Sequence, residues 1–142
     1  MASVHDVAAY ILEKRGRLDT WKLQKLAYYS QAWHTVWEGQ PLFSERVEAW
    51  ANGPVSPDLY RQHVGQFERS DWPTGQADRL TEDERTSIDA VLETYGDKTG
   101  HYLSALAHQE QPWIDARQGL APGQRGNAEI TPEAMYLYYS GL

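Results

Sequence analysis

The sequence predicts a mainly α-helical fold: a single compact helical domain, residues 1–142, with one short β element around residues 42–51. Three observations carry this expectation. Apolar residues recur at three- and four-residue spacing along most of the chain, which is the period of one helix face. Start signals, a Ser or Thr followed by Pro or by an acidic residue three positions on, precede several of these stretches. Only residues 42–51 look extended, with Val47 and Ala49 alternating against Arg46, Glu48 and Trp50. A chain of 142 residues with 41% hydrophobic content buries roughly two-thirds of its unfolded surface, enough to fold without a metal or disulfide.

Ser3 is placed to cap a first helix whose stripe is Val4, Val7, Ala8, Ile11 and Leu12, ending near Gly16. Thr20 is read as the cap of a second, running to about Glu38 before Gly39 and Pro41 stop it. After the extended stretch, Asn52-Gly53-Pro54 breaks the backbone, and Ser56-Pro57 opens a short helix through Tyr60 and His63. Thr81 with Glu84 forms a capping box ahead of Ile88, Val91, Leu92 and Tyr95, with Gly96 at the end. A helix over about 99–109 turns Tyr102, Leu103 and Leu106 inward. Pro112 opens a turn through Trp113 and Ile114, and Thr131-Pro132 starts a last helix reaching Tyr139. Residues 65–80 and 117–129 read as polar loops.

The second helix is expected to be the core of the fold. At about 100° per residue, Leu26, Tyr29, Trp33, Val36 and Trp37 share a face, with Gln24, Gln31, Thr35 and Glu38 opposite. Lys22 falls on the apolar face and Lys25 at its border. Each must snorkel outward or meet a carboxylate such as Glu48, unless its ammonium is offered to a partner.

Catalytic patterns are sparse. The zero cysteine count removes disulfides, thiolate metal sites and cysteine nucleophiles, and suggests a reducing, cytoplasmic home. No signal peptide or membrane-length apolar run is read. His101 and His108 lie two turns, about 10 Å, apart, too far to share one zinc. Ser30 with His34 is the pairing on which a hydrolase reading would rest, and His5-Asp6 is a weaker one; neither has a third member placed by sequence. Gly119, Gly123 and Gly126 are wrongly spaced for a nucleotide loop. No metal, cofactor or catalytic site is therefore expected.

The net charge of −7 is uneven. Residues 1–40 carry five Lys/Arg against four Asp/Glu, and residues 41–142 carry eight against sixteen. This argues against nucleic acid as the main partner and suits a basic protein surface, for which Glu82–Asp97 is the acidic candidate. Six Trp and nine Tyr suit a core and a protein interface equally. No oligomeric state follows from the pattern.

Four segments taken in order resemble a known family. Lys22-Leu23-Gln24-Lys25-Leu26 followed by Tyr28-Tyr29 is similar to the "KLQKLxYY" helix of Panacea-domain proteins, the SocA-like and GepA-like phage-associated antitoxins. Glu48 through Val55, with Pro57 and Tyr60 beyond, resembles that family's "AWxxGPVxxxxY" segment. Leu103 through His108 with Pro112-Trp113 resembles "LSxLxHxxxPW", and Ile130 through Tyr139 the closing helix. The resemblance implies a mainly α-helical domain that serves as antitoxin of a type II toxin–antitoxin pair, binding a cognate protein toxin encoded beside it. It also implies an alternative, since a SocA-like member delivers its toxin to a protease as an adaptor. Some relatives carry a further N-terminal region, and the start of this chain close to the first helix argues against DNA-binding autoregulation. Candidate partner-binding residues are Lys22, Lys25, Tyr28, Trp50, Tyr60, His108 and Trp113, with Tyr28 favoured by its place on the flank of the second helix.

Overall fold

In the computed structural model, which describes residues 1–142, seven helices and five short strands follow one another. They are α1 (Val4–Arg15), β1 (Leu18–Asp19), α2 (Thr20–Glu38), β2 (Val47–Trp50), β3 (Gly53–Val55), α3 (Pro57–His63), β4 (Glu68–Arg69), α4 (Glu82–Tyr95), α5 (Gly100–His108), α6 (Gln111–Ala116), β5 (Glu129–Ile130) and α7 (Pro132–Tyr139). Local chemistry sets the boundaries. Ser3 and Asp6 cap α1 reciprocally, as Thr81 and Glu84 cap α4. Ser56, Thr99 and Thr131 accept from the amide of the third residue of α3, α5 and α7. At α2 the cap is Asp19, not Thr20. Thr20 is the first helical residue, and its hydroxyl donates to the Gln66 carbonyl at 3.0 Å.

α2 is the axis against which α1, α4, α5 and α7 pack. Of the four residues expected on its polar face only Glu38 is exposed: Gln24, Gln31 and Thr35 are buried with the apolar residues. The two glutamines stand in for backbone. Gln24 brackets Ser56, accepting from its amide at 2.8 Å and donating to its carbonyl at 3.1 Å. Gln31 accepts from the amides of Leu42 and Phe43 and donates to the Phe43 carbonyl at 2.9 Å. Buried amides that replace a missing strand partner satisfy chain that has no ladder of its own. Trp37, by contrast, is 47% exposed at the end of α2, and Tyr102 on α5 is 49% exposed rather than inward.

The extended element is wider than residues 42–51 suggested. β2 pairs antiparallel with β3 across the Ala51-Asn52 turn, and on its other edge with β5. The supposed break at Asn52-Gly53-Pro54 is thus a hairpin. β1 and β4 form a second, two-stranded sheet that draws part of the 65–80 stretch onto the start of α2.

α7 is fastened to α2 by a buried acid. The Glu110 carboxylate accepts from the hydroxyls of Tyr29 and Tyr139, both at 2.7 Å, and Tyr28 bonds the Tyr139 hydroxyl at 3.0 Å. Burial pushes the Glu110 carboxyl above the ordinary carboxylate range, and the two phenolic donors pull it part of the way back. Tyr95 stacks on Tyr29 at 4.3 Å and accepts from Trp33 Nε1.

Candidate functional site

The motif segments converge on the β2–β3 hairpin. Four consecutive carbonyls along it are each held by a different side chain. Arg117 donates to Ala49 at 3.2 Å, Trp113 Nε1 to Trp50 at 2.9 Å, and Ser104 Oγ to Asn52 at 2.8 Å. Between them His108 Nε2 faces the Ala51 carbonyl at 2.9 Å, while its Nδ1 faces the Ser104 carbonyl at 2.5 Å. A clamp of this kind fixes the strand end and its turn as rigidly as a second ladder would.

Lys25 runs beneath this turn. Gly53 has φ +114°, and a Cβ built there would lie 2.9 Å from Lys25 Cε. Only glycine fits both the backbone and the close approach. The side chain of Lys25 is 1% exposed and its Nζ has no hydrogen-bond partner in the protein. Its Nζ lies 5.2 Å from the centroid of the Trp21 ring. Burial pulls the ammonium down to about 7, opposed by the charge of Asp19. The expected ion pair with Glu48 is not formed. Glu48 accepts from Trp50 Nε1 at 2.8 Å and pairs with Arg46 at 3.0 Å, because it points from β2 toward the cleft side of the hairpin.

Two open clefts share Trp21 and Asn52, and Lys25 lines one of them. One, of about 490 Å³, is lined by Lys25, Asp19, Phe67, His101 and Ser104 among others. The other, of about 690 Å³, is lined by Glu48, Trp50, Tyr60, Arg125 and Asn127 as well. Trp50 meets Tyr60 edge-on at 5.0 Å, and Tyr60 lies 6.2 Å from Trp21.

Of the seven residues singled out by sequence, Trp50, Tyr60, His108 and Lys25 gather around the hairpin and its clefts. Lys22 is half-buried in the first turn of α2, its amide bonded to Asp19 at 2.7 Å. Tyr28 is not on a flank: it is 2% exposed, because α7 covers that side of α2. Trp113 is also buried, tilted against His108 at 4.2 Å, and serves as a turn clamp. Trp21, Arg117 and Ser104 were missed. Ser104 lies inside a quoted motif, but Arg117 sits in a polar stretch with no pattern to mark it. The Ser30–His34 pair is not formed either: Ser30 donates to the Leu26 carbonyl at 2.8 Å, and His34 bonds Ser87 at 2.8 Å. No three His, Asp or Glu side chains gather as metal ligands would. No helix is long and apolar enough to cross a membrane.

These features define a mainly α-helical protein built on one buried central helix, with a clamped hairpin on its surface. Residues 23–114 match the family described as antitoxin SocA-like, Panacea domain. The chain belongs to that family. Antitoxin SocA of Caulobacter vibrioides (strain NA1000 / CB15N) is 30% identical over 124 residues, covering 75% of this chain and 66% of that protein. The chain thus spans just under two-thirds of that relative's length. No solved structure matches it. Membership of an antitoxin family supports an antitoxin role.

Proposed function

We propose that this chain is the antitoxin of a type II toxin–antitoxin pair, neutralising a cognate protein toxin encoded beside it by direct contact. The observation that carries this reading is the convergence of three family-like motif segments on one hairpin flanked by two clefts. Half-buried aromatic and charged side chains in a polar surround are what a protein interface uses as anchors. Trp50, Tyr60 and His108 are the half-buried anchors around the hairpin, with Lys25 buried beneath it and Lys22 nearby. Trp113 supports that surface from beneath, whereas Tyr28 packs at the α2–α7 contact. We also propose that the domain extends over residues 1–142, beyond the matched 23–114, since α1 and α7 bury Val7, Ile11, Met135 and Tyr139 in the same core as α2.

Coexpression with the product of the adjacent reading frame tests the reading. That product should arrest growth alone, and this chain should restore growth and co-purify with it. A harmless neighbour, or a toxic one that this chain neither binds nor relieves, would refute it. The toxin's half-life in rescued cells separates masking, which leaves it long-lived, from delivery to a protease, which shortens it.

A further inference from the structure

We propose that the cleft over Lys25 receives one carboxylate from a partner polypeptide, seated against the Lys25 ammonium between Trp21 and the first turn of α5. The proposal rests on the protein-binding reading above and names the chemistry of one contact within it. Three observations on different elements support it.

The first is the ammonium itself. Lysine is almost never fully buried without a partner, yet Lys25 Nζ has none in the protein and is itself sealed from solvent, so an incoming carboxylate must draw the flexible side chain into the cleft. The acids nearby are committed elsewhere. Glu48 is held by Arg46 and Trp50. Asp19 accepts from the Lys22 amide at 2.7 Å and reaches Lys25 only through longer-range charge. The second is the start of α5, which forms another wall of the cleft. Thr99 takes the amides of Tyr102 and Leu103 through its hydroxyl and carbonyl. Those of Gly100 and His101 have no intrahelical acceptor, and both residues line the cleft. Such an end favours negative charge, and the Asp19 carboxylate already lies beside it, its Oδ1 3.0 Å from where a Gly100 Cβ would sit. The third is Phe67, 74% exposed on the same cleft, which offers an apolar platform to the residues beside the incoming acid. One ammonium beside the Asp19 carboxylate, on a chain of net charge −7, suits a single negative charge better than a phosphate dianion.

Proton linkage follows. The free ammonium titrates near 7, and a carboxylate on it favours the charged form. Binding therefore takes up a proton and weakens as pH rises above about 7. Asp19, His63, His101 and His108 also face this region, so the comparison that isolates Lys25 is with Lys25→Met.

The test uses the full chain with 13C-labelled lysine, following the Lys25 Cε signal by NMR. The probes are the capped tripeptide acetyl-Ala-Glu-Ala-amide, its Gln counterpart, acetyl-Ala-Ala-Ala with a free C-terminal carboxylate, and inorganic phosphate. Expected is saturable movement of the Lys25 signal with one or both carboxylate peptides, a rise in its titration midpoint, and affinity lower by about ten- to hundredfold for the Gln peptide. The two carboxylate peptides decide between an acidic side chain and a chain terminus. Lys25→Met, folded by its amide spectrum, should lose carboxylate binding by a similar factor. No response from either carboxylate peptide, equal response to Glu and Gln peptides, or preference for phosphate would each overturn the proposal. These outcomes do not depend on any toxin. Growth rescue with silent peptides would sink the cleft proposal alone, and peptide binding without rescue would sink the antitoxin reading alone.

Discussion

α2 carries one side of two buried polar centres, and they are opposites. Towards α6 and α7 it contributes Tyr29 to the carboxylate of Glu110, which has two phenolic donors at 2.7 Å and a third phenol one bond further out. Towards the hairpin it contributes Lys25, an ammonium with no hydrogen-bond partner. Burial shifts both groups toward their neutral forms. The difference lies in satisfaction. A buried acid held by hydrogen bonds ties elements together, whereas an unbonded buried charge costs stability in the free protein.

The sharpest way to break the contrast is to remove one partner from each centre. Glu110→Ala strands two buried hydroxyls and unties α7 from α2. It should lose about 3–5 kcal/mol in urea unfolding, and a loss under 1 kcal/mol would mean the network does not hold α7. Lys25→Met keeps the packing volume and removes only the ammonium. It should gain about 1–3 kcal/mol, and destabilisation instead would make Lys25 a structural residue.

The same pair of centres should separate in pH. The Lys25 midpoint is depressed from 10.5 to about 7 in the folded chain, so between those values the unfolded chain binds the extra proton. Stability should therefore rise with pH from about 7 to 9.5 in the wild type, and the rise should be missing in Lys25→Met. Glu110 has a raised folded value, so its contribution is full below the ordinary carboxylate range and declines as pH climbs through the raised one. The lowered values of His34 and His63, both set mainly by burial, act below about 7, and subtracting the Lys25→Met curve removes them. Parallel curves for the two proteins above pH 7 would remove the basis for an unsatisfied ammonium.

Helix positions were legible in the sequence because their signals are local. Ser3, Ser56-Pro57, Thr81 with Glu84, and Thr131-Pro132 each act within one turn, and each element starts there. What was not legible depends on residues far apart. Gln24 and Gln31 read as a polar face because periodicity scores their chemistry, not the Ser56 and Leu42–Phe43 backbones they satisfy from 11 to 32 residues away. The hairpin at Asn52-Gly53-Pro54 read as a break since its order comes from Ser104, His108, Trp113 and Arg117, at least 52 residues on. Lys25 was marked as anomalous by its place near the apolar stripe, but not as unpaired. That required knowing where Glu48 points.

The smallest expected effect concerns Tyr28, and it follows from the order of protons in the network. Tyr139 gives its hydroxyl proton to the Glu110 carboxyl, so in the 3.0 Å contact with Tyr28 it must accept. Tyr28 is therefore the outermost donor, and the chain of bonds runs Tyr28 to Tyr139 to Glu110. Tyr28→Phe removes one neutral bond at the end of the chain and leaves both bonds to the carboxylate intact. It should lose about 1 kcal/mol, less than Tyr139→Phe, which removes a bond to the charge as well as the acceptor for Tyr28. Because Tyr28 is 2% exposed, the variant should still bind a toxin partner with unchanged affinity. Equal losses of stability in the two variants would reverse the proton order, and a loss of binding without a loss of stability would return Tyr28 to the interface.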